Sequence, residues 1–261
     1  MNNSSTSRTP PSASAFTLME ILVVVAIILI LAAIAFPVYS SIQTRAHKAY
    51  ALKNMGEVTK ALITWASQND DTLPEEDAKG PDTWQAAALP ESASAWYNCL
   101  PKLLGQKTVG EFASTPRDFY TKENILYLPG AQYPGTDKKL VNPLFAFAIN
   151  TKLQRKNEDD KKLPLKRSMI TNPSLTVIFL EQGLPSEQKT AAVQSNNDYD
   201  GSPKGSAKSF VGRYSGSGVL MFLDGHADVV PVKDTLTETG RFPMPQTQRV
   251  WTQKPEDDPN K

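Results

Sequence analysis

The chain has 261 residues, 40% of them hydrophobic and 21% charged, with 28 Lys and Arg against 27 Asp and Glu. That is an ordinary globular composition for one domain or two small ones, and a net charge of +1 excludes the basic excess expected of a chain whose main partner is nucleic acid. The single cysteine, Cys99, excludes an intramolecular disulfide and any multi-thiolate metal site, so its expected role is that of a small buried hydrophobe.

Residues 1–14 are rich in Ser, Thr, Asn and Pro and carry one basic side chain, Arg8. The small residue Ala15 follows, then Phe16-Thr17-Leu18-Met19-Glu20, then an unbroken apolar run from Ile21 to Phe36. From Phe16 to Phe36 an α-helix would extend about 31 Å, the thickness of a bilayer's hydrocarbon. A secretory signal peptide places its small-residue cleavage site after the apolar stretch, whereas here that site precedes it, so the helix is retained. Glu20 is the anomaly, because an acidic side chain at membrane depth is costly and usually functional.

The order and spacing of these residues resemble the N-terminus of a type IV pilin or type II secretion pseudopilin precursor, over about Ala15 to Trp65. The resemblance implies that a prepilin peptidase cuts between Ala15 and Phe16 and N-methylates Phe16. The family usually has Gly before the cut, where this chain has Ala15. Cleavage would leave an amine on Phe16 and a carboxylate on Glu20, and two helices offset along an axis could pair the amine of one with the Glu20 of the other. Glu20 is therefore the expected determinant of assembly register, and an ordinary signal anchor with Glu20 in the headgroups is the bland alternative. Arg45, Lys48 and Lys53 follow the span and only Arg8 precedes it, so basic residues alone favour a cytoplasmic C-terminal side. The resemblance implies the reverse: a single-pass protein of the bacterial inner membrane with a periplasmic or extracellular head.

Pro37 closes the apolar run and should kink or loosen the helix without necessarily ending it. Beyond it Val38, Ile42, Ala46, Ala49, Leu52, Met55, Val58, Leu62 and Trp65 recur at helical spacing. The expectation is one long helix to about residue 68, its first half (16–37) membrane anchor or filament core, its second (38–68) amphipathic. Gln68 to Pro74 is a stop signal. Between Glu75 and Pro143 the sequence is at its least readable and is expected to be irregular, with Trp84–Leu89 and Ala95–Leu104 compatible with short helices and Ile125–Leu128 with a strand. Strands are also expected at Leu144–Ile149 and Thr176–Leu180, with a charged surface loop from Thr151 to Arg167 and a mobile polar loop from Pro185 to Ser209.

Val219 to Leu223 and His226 to Val230 flank Asp224-Gly225, a hairpin signal of the type I′ kind. This segment is similar to the C-terminal region of many pseudopilin-like proteins, in which a His precedes such an Asp-Gly by a fixed interval. The residue ten before Asp224 is Tyr214, so nothing attached to that His carries over. The proline-rich tail, 233–261, is expected to be an arm over the head or disordered.

Chemistry is sparse. His47, on the polar side of the helix, and His226, after a hairpin turn, are expected to be solvated or locally bonded. Gly201 to Ser209 lacks the glycine-to-lysine spacing of a phosphate loop, and Tyr214 to Gly218 is no nucleophile elbow; both read as flexible loop. Asn196 to Gly201 imitates the start of a calcium loop through Asp198 and Asp200 but has Ala207 in place of the closing Glu. Calcium is the one cofactor considered.

The pattern as a whole implies an α+β fold, a long N-terminal helix packed on a small antiparallel sheet, with leader 1–15, head 69–232 and tail 233–261. The expected function is that of a structural, non-enzymatic pilin-like subunit of a type II secretion or type IV pilus filament. Its partners would be itself and other pilin-like subunits, the prepilin peptidase, an inner-membrane assembly platform and the lipid bilayer. The alternative is a single-span anchored binding protein that does not assemble.

Overall fold

The computed structural model describes residues 17–76, 83–135, 141–154 and 163–261, apart from the side chain of Pro37. The leader, the Ala15–Phe16 junction and the middle of the charged loop after Leu153 therefore lie outside the described residues. The chain divides into two compact units, Met1–Gln43 and Thr44–Lys261. Helix α1 (Leu18–Gln68) enters both and is continuous through Pro37.

In the first unit α1 is a helix with no covered face. Its large apolar side chains from Leu18 to Phe36 are exposed, from 48% at Val23 to 82% at Leu18, and Val38, Tyr39 and Ile42 continue the series. Isoleucine and valine are indifferent helix formers in water, but in hydrocarbon every main-chain group must be satisfied within the segment, which a helix achieves. By length and composition this helix could cross a membrane.

In the second unit α1 buries a narrower stripe than the spacing predicts. Ala51, Met55, Val58, Leu62 and Ala66 are fully buried, whereas Ala46 and Ala49 are exposed. Two polar residues join the stripe because each has a main-chain acceptor: Asn54 Nδ2 donates to Tyr127 O at 3.2 Å and Thr59 Oγ1 to Met55 O at 2.8 Å. The helix ends where Asp70 and Asp71 adopt positive φ, 52° and 59°. The Asp71 amide caps Ala66 O at 2.9 Å, a left-handed exit that Asp tolerates better than branched residues.

The head sheet has five strands in the order β3-β1-β2-β4-β5, namely β1 (Phe147–Asn150), β2 (Val177–Glu181), β3 (Lys204–Gly205), β4 (Ser217–Phe222) and β5 (Ala227–Pro231). It is mixed, because β3 runs parallel to β1 while the other pairs are antiparallel. That corrects the expectation of an antiparallel sheet. Both faces of β2 are covered. Phe179, Val219 and Met221 belong to the same core as the α1 stripe, while Val177, Leu180, Leu220 and Phe222 meet Phe210, Phe242 and Trp251 on the other side. A register shift between Val177 and Phe179 accommodates Ile178 as the extra residue of a β-bulge, with Ile178 and Phe179 both in the α1 core.

The second face is covered by the tail. Val177 donates its amide to Val250 O at 2.9 Å and Val250 to Leu175 O at 2.8 Å. Asn150 Nδ2 grips Trp251 O at 2.9 Å, and Gln253 Nε2 donates to Leu153 O at 2.9 Å. The stretch from Pro185 to Ser209 is likewise packed, with Glu187, Gln194, Tyr199, Ala207 and Ser209 buried, and it supplies β3. The expectation of an open polar loop missed that its polar side chains bond to one another and to the main chain, as where Gln194 Nε2 donates to Phe210 O at 2.7 Å.

Short helices form at α2 (Trp84–Ala87) and α3 (Trp96–Leu103), inside the expected ranges. Ile125–Leu128 is not a strand. Asn124 fixes a turn there, donating to Phe119 O at 2.8 Å and accepting the Leu126 amide at 3.0 Å. This local closure defeats the strand preference of the residues that follow.

Candidate functional site

At the N-terminal end of α1, Thr17 and Glu20 form a reciprocal pair. The Thr17 amide and hydroxyl both donate to Glu20 Oε2 at 2.8 Å, and the Glu20 amide donates to Thr17 Oγ1 at 3.2 Å. This is a capping box, which satisfies main-chain donors that a helix start leaves orphaned. Both residues are exposed. The Thr-x-x-Glu spacing itself carries the signal for this cap. A carboxylate has four lone-pair directions, and Thr17 engages only Oε2. Among the described residues Oε1 has no hydrogen-bond partner. Phe16, the expected carrier of the pairing amine, lies outside the described residues, as does Ala15.

The remaining singled-out residues occupy other places. Asp224 and Gly225 do turn the β4–β5 hairpin, but by a different route from a type I′ turn. Only Gly225 has positive φ, 98°, its amide donates to Phe222 O at 2.9 Å, and Phe222 donates to His226 O at 3.0 Å. The loop is therefore three residues long with Gly225 as the bulge, which relieves Asp224 of a left-handed conformation. The two-residue turn with two positive φ values is Ser215-Gly216, at 53° and 81°. It is closed by paired bonds of 2.9 and 3.1 Å between Tyr214 and Ser217, and replaces the flexible loop expected there.

His226 is locally engaged, its Nδ1 lying 2.6 Å from Asp224 Oδ1 and its ring stacked on Phe222 at 4.3 Å. His47 is half-buried, close enough to Gly130 that a side chain there would touch it. Asp198 closes a small turn by accepting the Ser195 amide and hydroxyl at 2.6 and 2.8 Å, while Asp200 accepts from Gln182 Nε2 and the Ser202 amide at 2.9 and 2.8 Å. Among the described residues no group of three or more His, Cys, Asp or Glu could hold a metal ion.

Cys99 is buried in α3, and burial pushes its thiol up to about 12. In the folded protein at pH 8 its alkylation by iodoacetamide should be slower than that of a free thiol by on the order of a thousandfold. Timed alkylation followed by mass spectrometry checks this, with full labelling expected only in denaturant.

One constellation was not foreseen. Arg213 is 4% exposed and lies between Glu181, fully buried, and Glu187, 5% exposed. All five of its N–H groups are used. Nε and Nη2 donate to the two Glu187 oxygens at 2.8 and 2.7 Å. Nη1 donates to Ala146 O at 2.9 Å and to Glu181 Oε1 at 3.2 Å, and Nη2 also donates to Gln182 O at 2.6 Å. Glu181 further accepts the Tyr214 hydroxyl at 3.0 Å and the Val219 amide at 2.8 Å. Glu187 accepts the Gln132 and Leu184 amides at 3.2 and 2.8 Å. Burial opposes the charge on Arg213, but Glu187 and Glu181 outweigh it and hold the guanidinium above its ordinary pKa. Tyr214, which stands where the pseudopilin-like pattern has His, is thus part of an internal clamp. The sequence offered one hint, a carboxylate closing the apolar strand Val177–Glu181.

Residues 11–36 match the family model described as the prokaryotic N-terminal methylation motif. The motif together with the apolar helix fits a prepilin-type pilin or pseudopilin precursor. No curated protein matched the chain, and no solved structure did.

Proposed function

We propose that the protein is a pilin-like structural subunit, cut between Ala15 and Phe16, N-methylated on Phe16, and assembled through α1 into a filament of the type II secretion or type IV pilus kind. The observation that carries this reading is the methylation motif over residues 11–36, joined to a helix whose apolar side chains are exposed along its first half. A helix of that kind requires lipid before assembly and neighbouring helices after it. The chain is anchored in the bacterial inner membrane before extraction, with its head on the outer side.

In this reading Glu20 serves twice. Within one chain it caps its own helix through Thr17. Between chains its second oxygen takes the charged amine of a neighbour's Phe16, and the subunits are staggered by the separation of those two groups. The head contributes a rigid body and no chemistry of its own.

Expression of the full chain with and without a prepilin peptidase tests the proposal. With the peptidase, the chain is expected to lose residues 1–15 and to become detergent-resistant multimers. A chain of unchanged length in both cultures would contradict it.

A further inference from the structure

Strand β5 is one edge of the head sheet and β3 the other. Antiparallel pairing alternates, and bonds from Phe222 to His226 O and from Val232 to Gly216 O set the phase, so Asp228 and Val230 bond towards β4. The main-chain groups of Ala227 and Val229 then face outward, and among the described residues they have no main-chain partner on that side. An open edge of this kind is a template for pairing, and Pro231, which lacks a donor, keeps it short.

The two edges differ in charge. On β5, Asp228 is exposed and has no ion pair among the described residues, whereas Asp224 is held by His226 at 2.6 Å. At the opposite edge Lys204 lies in β3 and Lys208 follows it, exposed. One edge therefore offers an exposed carboxylate, Asp228, beside open main-chain groups, and the other an exposed ammonium, Lys208.

We propose that heads of neighbouring copies meet edge to edge, the β5 edge with Asp228 on one copy receiving the β3 edge of the next at Lys208. Because the two surfaces differ, the contact is heterologous and propagates instead of closing on a pair. The occupant of the β5 edge is a second copy of this chain, since the complementary charge is carried by the chain itself. The inference rests on the filament reading and names the head contact within it.

The test is oxidative crosslinking of the full chain, processed and assembled, in a Cys99→Ala background. Asp228→Cys and Lys208→Cys together should give a ladder of multimers, whereas each alone should give little. Asp228→Lys should weaken head-mediated association severalfold, and adding Lys208→Asp to it should restore most of the loss. A control variant, Ile27→Cys, reports helix-to-helix contact independently. Crosslinks at residue 27 with none between 228 and 208 would overturn the edge contact and leave the filament standing. Absence of both would overturn the filament reading as well.

Discussion

Glu20→Gln should leave leader removal intact and abolish assembly. Glutamine at the third helical position can still accept from the helix start, so the capping box with Thr17 survives the change. The charge does not. If neighbouring chains are joined by an amine set against the open Oε1 of Glu20, neutralising the acid strands a cation in a low-dielectric core. Breaking a buried pair from one side weakens association by on the order of a hundredfold or more per contact. Thr17→Val is the complementary change: it removes the cap, costs about 1 kcal/mol of helix stability, and should leave multimers in place. The measurement is the ratio of cleaved to assembled protein for wild type and both variants. Loss of assembly with Thr17→Val but not with Glu20→Gln would assign Glu20 to capping alone.

Arg213→Met should destabilise the head by about 3–5 kcal/mol, because it leaves Glu181 and Glu187 buried without their cation. For a domain of this size that corresponds to a fall in Tm of roughly 6–20 °C. Arg213→Lys should recover little. An ammonium has three donors on one nitrogen and cannot reproduce five bonds spread over Glu187, Glu181, Ala146 O and Gln182 O. Thermal unfolding followed by circular dichroism checks both. Replacing Arg213, Glu181 and Glu187 together with apolar residues of similar volume should cost less than Arg213→Met alone, since no charge is then left unpaired.

How much of this could be read from the residues depends on whether the deciding interaction is local. The apolar run after Glu20 and the β-branched run Thr176–Leu180 announce themselves, because one long period or one dense cluster fixes each. The short helices at Trp84 and Trp96 lie in a section whose prolines and short apolar pieces read as irregular. Ile125–Leu128 is not a strand because the side chain of Asn124, the residue immediately before it, outbids strand propensity. Asp224-Gly225 was recognised as a turn but assigned the wrong geometry, since Asp-Gly suits both the two-residue loop and the three-residue loop with a bulge. The Arg213 clamp shows in the sequence only as a carboxylate closing an apolar strand, because Arg213 lies 26 and 32 residues from its two carboxylates and only the folded head brings them together. The covering of β2 by the tail is of the same kind, a contact between Val177 and Val250 that no window of sequence contains.

At the N-terminus the structure adds a capping role to Glu20. Thr17 and Glu20 stand three residues apart, the separation a capping box needs, and Thr17 engages only Oε2 of that carboxylate. Exposure of the apolar side chains from Leu18 to Phe36 shows why a single copy is incomplete in water. Such a surface demands lipid or other helices around it.

The account stands or falls on the chemical state of the first residue of the mature chain. Intact-mass and peptide mass spectrometry of the protein purified from its native membranes should find a chain that begins at Phe16 and carries a methyl group on that amine. A chain still beginning at Met1, or one beginning after the apolar helix, would contradict it.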